Sequence, residues 1–148
     1  MIKVLFGTES GNSEMAADDI AALLSSGGAA AKVVPMEDAD VQELASDNFV
    51  IVITSTYGDG ELPETTQPFY DSLCNLRPDL AGLSFAAFGL GDSSYETYGN
   101  GIDLITALLV ELGAKQIGKT GRYDAAKAQE LSVVAADWAT SVASELTA

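Results

Sequence analysis

The 148-residue chain contains no histidine, a single cysteine and only seven basic residues. Without an imidazole it has no histidine acid–base catalyst, the commonest device for proton transfer near neutral pH. One cysteine, Cys74, precludes an internal disulfide and fits a reducing compartment. It falls in a helical stretch with no partner motif and reads as a packing residue. No apolar run approaches the roughly 20 residues that span a bilayer. The apolar part of Met1–Gly7 is too short for a signal peptide and runs straight into a strand-like segment. Long polar or Pro/Ser-rich tracts are also missing, which argues against disorder. What remains is an ordinary globular composition, 47% apolar, in a length that suits one domain over residues 1–148.

The scarcity of basic residues matters more when set against 22 acidic ones, for a formal charge of −15. A field of that sign repels nucleic acid and anionic membrane and attracts basic protein surfaces. Solubility alone is also a sufficient reason for such a surface, so the positions of the acids must decide between the two.

Short apolar runs alternate with helical stripes along the chain. Ile2–Phe6 is a strand candidate, followed by a small polar loop and then Met15, Ala16, Ile20, Leu23 and Leu24 at helical spacing, stopped by Gly27 and Gly28. Lys32–Met36 is a weaker strand whose proline suits a sheet edge. A short helical segment is expected around Val41–Ala45. Phe49–Ile53 is the strongest buried-strand signal, and a long loop then leads to a helix near Gln67–Leu76. Ser84–Phe88 reads as another buried strand, followed by a Gly-rich loop over Gly89–Gly101. Ile102, Ile105, Leu109 and Leu112 form the next helical stripe, Gln116–Ile117 lies in a last strand, and Leu131, Val134, Trp138 and Val142 mark a final helix with Trp138 in the core. Five continuously apolar strands alternating with helices imply a parallel α/β sheet covered on both faces.

Doubly wound sheets of this kind bind ligands outside the carboxyl ends of their strands. Three polar loops follow strands, at Thr8–Glu14, Ser55–Thr66 and Leu90–Gly101, so all three are expected at that end. The first, Thr8-Glu9-Ser10-Gly11-Asn12-Ser13-Glu14, offers hydroxyls, one glycine and an immediate helix start, which suits a phosphate. The same residues also suit an ordinary capped strand–helix turn. The loop lacks the Gly-Lys pair of a nucleotide P-loop and the dinucleotide Gly-x-Gly-x-x-Gly pattern. The second loop, Ser55-Thr56-Tyr57-Gly58-Asp59-Gly60-Glu61-Leu62-Pro63, sets an aromatic beside two flexible glycines. The third, Gly89-Leu90-Gly91-Asp92-Ser93-Ser94-Tyr95-Glu96-Thr97-Tyr98-Gly99, repeats that pattern. Either tyrosine alone suits a half-buried loop anchor. Together they could sandwich a planar ring, at roughly 1–3 kcal/mol per stacked face by analogy with nucleobases.

With Thr8-x-Ser10-Gly11-x-Ser13, Thr56-Tyr57-Gly58-Asp59-Gly60 and Gly89-Leu90-Gly91-Asp92-x-x-Tyr95 in this order, the chain resembles the flavodoxin family over nearly its whole length. It is also similar to the FMN-binding domains of diflavin reductases, especially over Ser55–Tyr70 and Phe85–Tyr98. The resemblance implies a flavodoxin-like doubly wound sheet of order 2-1-3-4-5 and one non-covalent FMN. Thr8, Ser10, Gly11, Asn12 and Ser13 would hold the phosphate without any cation, with Glu9 in the same loop. Tyr57 and Tyr95 would stack on opposite ring faces. Backbone groups of Thr56, Gly58, Gly91 and Asp92 would meet the ring edge, with Ser55, Asp59, Gly60, Leu90, Thr97, Tyr98 and Gly99 completing the cofactor-binding set. Gly58 can adopt either peptide orientation at little cost, as the family's switch of hydrogen bonding on one-electron reduction demands. The implied role is a low-potential electron carrier, not an enzyme, in which the flavin does the redox chemistry and the protein tunes it.

Two features bear on the comparison. Ile117–Lys127 carries no insertion of the kind that divides long-chain flavodoxins, so the short-chain class is expected. Arg122 stands where diflavin reductases tend to have acids, which separates the chain from those domains. The three loops hold no Lys or Arg and seven acids, Glu9, Glu14, Asp59, Glu61, Glu64, Asp92 and Glu96. Such a rim disfavours a fully reduced anionic flavin and steers basic partners to the ring edge.

The resemblance further implies a flavodoxin/ferredoxin-NADP reductase-type donor and redox-enzyme acceptors, a monomeric state, a cytoplasmic location, and no nucleic-acid or membrane partner. A competing reading is an FMN-dependent NAD(P)H oxidoreductase acting directly on a small substrate. A signalling receiver domain shares the sheet order, but it needs clustered aspartates where this chain has Gly7-Thr8 and Thr54-Ser55.

Overall fold

The apolar runs pair side by side. The computed structural model describes residues 2–7, 12–28, 30–55, 62, 64–91, 100–124 and 130–146, with backbone only at 12, 100 and 146. Ile2–Gly7 (β1) pairs in parallel with Ala31–Pro35 (β2) on one side and Phe49–Ser55 (β3) on the other. β3 pairs in parallel with Ser84–Gly91 (β4). The outer edge of β4 receives two short parallel strands in succession, Lys115–Gln116 (β5) beside its start and Gly121–Asp124 (β6) beside its end. The order β2-β1-β3-β4-β5 is the one expected from the resemblance. The additional strand, β6, is a correction to the five-strand reading.

Helices Asn12–Ser26 (α1), Gln67–Leu76 (α2), Asn100–Glu111 (α3) and Leu131–Leu146 (α4) follow β1, β3, β4 and β6. The sheet separates two apolar cores. Leu5, Val52, Phe85 and Ala87 pack with Phe69 and Leu73 of α2 and Ile102, Ile105 and Leu109 of α3. Val4, Ile51, Ile53 and Phe88 pack with Ala16, Ile20 and Leu24 of α1 and Ala135 and Ala139 of α4. Strands buried from both sides have no polar alternation, which is why β3 and β4 read as unbroken apolar runs. Each large side chain fully buried this way contributes roughly 1.5–3 kcal/mol.

Local sequence explains most boundaries. Gly28 ends α1 at φ +96°, a conformation that glycine adopts without a Cβ clash. Pro35 lies at the end of β2, an edge strand, where its missing N–H breaks no ladder. The segment expected as helical around Val41–Ala45 forms a 3₁₀ turn instead, at Glu43–Ser46, and another such turn precedes it at Met36–Asp38. Only Met36, Val41 and Leu44 are buried there, too few for a helical stripe. The glycine-rich stretch expected as a loop from Gly89 remains strand as far as Gly91. Trp138 is half-buried, not fully core. Its ring centroid lies 5.3 Å from that of Phe88, and its Nε1–H donates to the Lys119 carbonyl at 3.2 Å. Cys74 is a free thiol, half-buried against the α2–α3 core. Among the described residues no helix is long and apolar enough to cross a membrane.

Candidate functional site

Strand register builds the site. Gly7 of β1 pairs with Thr54 of β3, Thr54 pairs with Gly89 of β4, and Gly89 pairs with Arg122 of β6. These four residues form one row across the sheet, near the carboxyl ends of all four strands. Beyond it β1 stops at once, β3 continues by Ser55, and β4 by Leu90 and Gly91. Neighbouring strands lie about 4.8 Å apart, so the departure points of the three loops occupy roughly 10 Å of sheet edge. The segment after Asp124 leaves from the same edge, because Asp124 pairs with Gly91.

The row also seats the helices that follow the loops. A Cβ on Gly7 would overlap the side chain of Thr66, the residue immediately before α2. A Cβ on Gly89 would overlap Ile102 in the first turn of α3. Arg122 donates to Asp103, also in that first turn, at 2.6 Å. Between the two glycines, the buried hydroxyls of Thr54 and Thr66 lie 2.8 Å apart. The ends of the second and third loops are thus tied to the strand ends from which the loops depart.

Of the candidate cofactor residues, the structure describes Ser13, Ser55, Leu90 and Gly91, together with the backbone of Asn12. Ser13 lies in the first turn of α1, wholly buried, and its hydroxyl has no hydrogen-bond partner among the described residues. An unsatisfied buried hydroxyl costs about 1–3 kcal/mol, so it calls for a ligand. The free N–H groups of a helix start and the associated dipole make an anion the natural choice. Ser55 is half-buried at the end of β3, Leu90 is buried, and Gly91 ends β4. Thr8, Glu9, Ser10, Gly11, Thr56, Tyr57, Gly58, Asp59, Gly60, Asp92, Tyr95, Thr97, Tyr98 and Gly99 lie outside the described residues.

Two participants were not in the sequence-based set. Thr66 and Gly7 have no ligand-type signature. Their only signals are a threonine pair just ahead of a helix and a glycine ending an apolar strand.

Charge is distributed unevenly. Lys3 and Lys32 pair near the amino ends of β1 and β2, Arg77 follows α2, and Lys115 pairs with the first residue of β4. All four lie toward the opposite edge from the loops. Burial alone would lower the Lys3 ammonium, but its bonds to Asp47 and Glu43, each 3.1 Å, outweigh that and hold its pKa above the ordinary lysine value. At the loop edge, Arg122 is engaged with Asp103, while Glu14, in the first turn of α1, and Glu64, ahead of α2, are exposed. Elsewhere, burial raises the Tyr70 hydroxyl above its usual pKa, helped by Cys74, Glu111 and Asp71.

A doubly wound parallel sheet with an anion-ready helix start at its carboxyl edge, where two further loops depart, defines an α/β protein of the kind that binds ligands at that edge. Known proteins narrow this. The Flavodoxin family model matches residues 4–138. Flavodoxin YqcA of Pectobacterium carotovorum subsp. carotovorum is 34% identical over 139 residues, covering 93% of this chain and 91% of that one. The sulfite reductase [NADPH] flavoprotein alpha-component of Thiocapsa roseopersicina is 35% identical over 117 residues, 78% of this chain but 22% of that protein. A mutant of the flavodoxin from Pseudomonas aeruginosa superposes with a TM-score of 0.89 at 33% identity, covering 99% of each chain. The chain belongs to the flavodoxin family. FMN is the cofactor of that family and of this chain. The unpartnered Ser13 hydroxyl at a helix start fits its phosphate.

Proposed function

We propose that this chain is a low-potential, FMN-bearing electron carrier that takes electrons from an NAD(P)H-dependent reductase and hands them singly to acceptor redox enzymes. The observation that carries the reading is the Gly7–Thr54–Gly89 row, from which three loops leave one short stretch of sheet edge. Membership of the flavodoxin family supports it. So does the similarity to a portion of an NADPH-dependent flavoprotein.

When bound, FMN supplies redox chemistry in one-electron steps, and the chain supplies everything around it. Ser13 and Asn12, with Thr8, Ser10 and Gly11, hold the phosphate by neutral donors and the start of α1. Glu9 stands among them in sequence. Tyr57 and Tyr95 would take opposite faces of the ring. Backbone groups of Thr56, Gly58, Gly91 and Asp92 would meet its edge, and Ser55, Asp59, Gly60, Leu90, Thr97, Tyr98 and Gly99 would complete the enclosure. A cation-free phosphate site adds no positive charge near the ring, so the acidic surroundings keep electron acceptance at low potential. The same acids draw in partners through basic surfaces. The chain works as one domain over residues 1–148, as a monomer, in the cytoplasm, and has no substrate site of its own.

The test is to purify the protein, record its visible spectrum and titrate it with dithionite under anaerobic conditions. A bound flavin that accumulates a blue one-electron-reduced form is the expected result. A colourless protein that ignores added FMN would end the flavin reading. Fast reduction by NAD(P)H alone, with no reductase present, would instead identify an oxidoreductase that acts directly.

A further inference from the structure

The loop between β3 and α2 has both its ends within the described residues, and the side chains of Thr66 and Thr54 connect them. Thr66 precedes the first turn of α2, where threonine ordinarily caps its own helix. Its side chain makes no such capping bond. Instead its hydroxyl lies 2.8 Å from that of Thr54, and both residues are fully buried. Thr54 has one hydroxyl proton, and Thr54 Oγ1 donates to the Ser55 carbonyl at 3.2 Å. Either hydroxyl of the pair can be the donor; with the Thr54 proton directed to the Ser55 carbonyl, Thr66 is the donor to Thr54. Ser55 is the last residue of β3, and its carbonyl belongs to the peptide that opens the loop. Gly7 leaves room for this arrangement, since a Cβ there would overlap the Thr66 side chain.

We propose that Thr66 is a positioning residue, tethering the closing end of the 56–65 segment to its opening peptide through Thr54 and so setting how the chain holds and tunes FMN. The inference rests on the flavin reading for its redox consequence but not for the tether itself. A helix cap is worth about as much as the buried hydroxyl bond that replaces it. The sequence thus forgoes a local stabilisation in favour of a long-range one, at the point where a cofactor loop must be held.

The experiment compares Thr66→Val, which keeps the shape and loses the hydroxyl, with Thr66→Ser, which keeps the hydroxyl. Three readouts are taken: amide hydrogen exchange across 56–65 in the FMN-free protein, the Kd for FMN, and the potential of the first electron. Thr66→Val is expected to speed exchange across this segment about five- to tenfold, weaken FMN by a similar factor and shift the first potential. Thr66→Ser should restore all three to parental values. The losses in Thr54→Val and Thr66→Val should be less than additive in the Thr54→Val/Thr66→Val double variant, because the two hydroxyls form one relay. Should Thr66→Val fail to fold, Thr66→Ala carries the same expectations.

Unchanged exchange in Thr66→Val, equal impairment in Thr66→Ser, or additive effects in the double variant would each overturn the tether. Faster exchange with the first potential unmoved would overturn its role in tuning. A parent protein that binds no FMN would overturn the functional reading, while the exchange comparison would still judge the tether.

Discussion

Thr66 and Gly7 meet so closely that no β-carbon fits between the strand end and the residue preceding α2. Two strands away in the same row, Gly89 accepts Ile102 in the same way. These two contacts bring helix starts directly onto the carboxyl edge of the sheet, and they are sensitive to one added methyl group. Gly7→Ala and Gly89→Ala should each cost about 1–3 kcal/mol of folding stability as the neighbouring side chain is pushed aside. Urea denaturation of the FMN-free variants measures this. A loss below a few tenths of a kcal/mol would mean that the helix starts can move freely.

Ser13 gives a prediction with opposite signs in two states. Its buried hydroxyl lacks a partner among the described residues, so Ser13→Ala removes an unsatisfied group from the FMN-free protein. Stability without cofactor should rise by about 1 kcal/mol, whereas the Kd for FMN should increase about tenfold. Thermal melts with and without FMN would register both effects. A variant destabilised without cofactor and unchanged in affinity would remove Ser13 from the phosphate site.

Lys3 predicts a pH dependence. Its folded pKa is raised above the ordinary value of 10.5 by Asp47 and Glu43 against the opposing effect of burial. A raised folded pKa means that its contribution is complete below the ordinary lysine range and is lost as pH rises through the folded value. Lys3→Met should therefore be less stable than the parent at pH 7, by up to roughly 1 kcal/mol for a partly exposed network. The gap should narrow above about pH 10.5, as denaturation at a series of pH values would reveal. A gap that persists in strong alkali would assign the loss to packing of the lysine stem.

The formal net charge of −15 predicts salt-sensitive electron delivery. Transfer from the reduced protein to a basic redox protein should slow markedly as ionic strength rises from about 10 mM to about 150 mM, over which the screening length falls from roughly 30 Å to 8 Å. Stopped-flow rates at several salt concentrations check this. A rate indifferent to salt would reduce the acidity to a solubility device.

Much of this architecture is legible in the sequence because burial on both faces leaves a strong mark. Phe49–Ile53 and Phe85–Phe88 are unbroken apolar runs, and their strands, β3 and β4, lie inside the β2-β1-β3-β4-β5 path. β6 is different. Gly121-Arg122-Tyr123-Asp124 has no apolar run, since Gly121 lies against Trp138 and Phe88 while Arg122 turns to Asp103. Its strand character comes from pairing with β4, which no local pattern announces. The glycines at 89 and 91 misled in the other direction, suggesting a loop where β4 continues. At the site, the loop motifs identify candidate ligands residue by residue, but the Thr54–Thr66 bond joins residues twelve apart and depends on strand register. Hydroxyl pairs of that kind become visible only once the sheet is assembled.

The most direct test of the cofactor site is a fluorescence titration of the FMN-free protein with FMN and, separately, with riboflavin, which lacks the phosphate. One FMN per chain should bind with strong quenching of flavin emission, and riboflavin should bind far more weakly. No quenching by FMN, or equal affinity for the two, would contradict a site built from a phosphate-holding helix start and two further loops at one sheet edge.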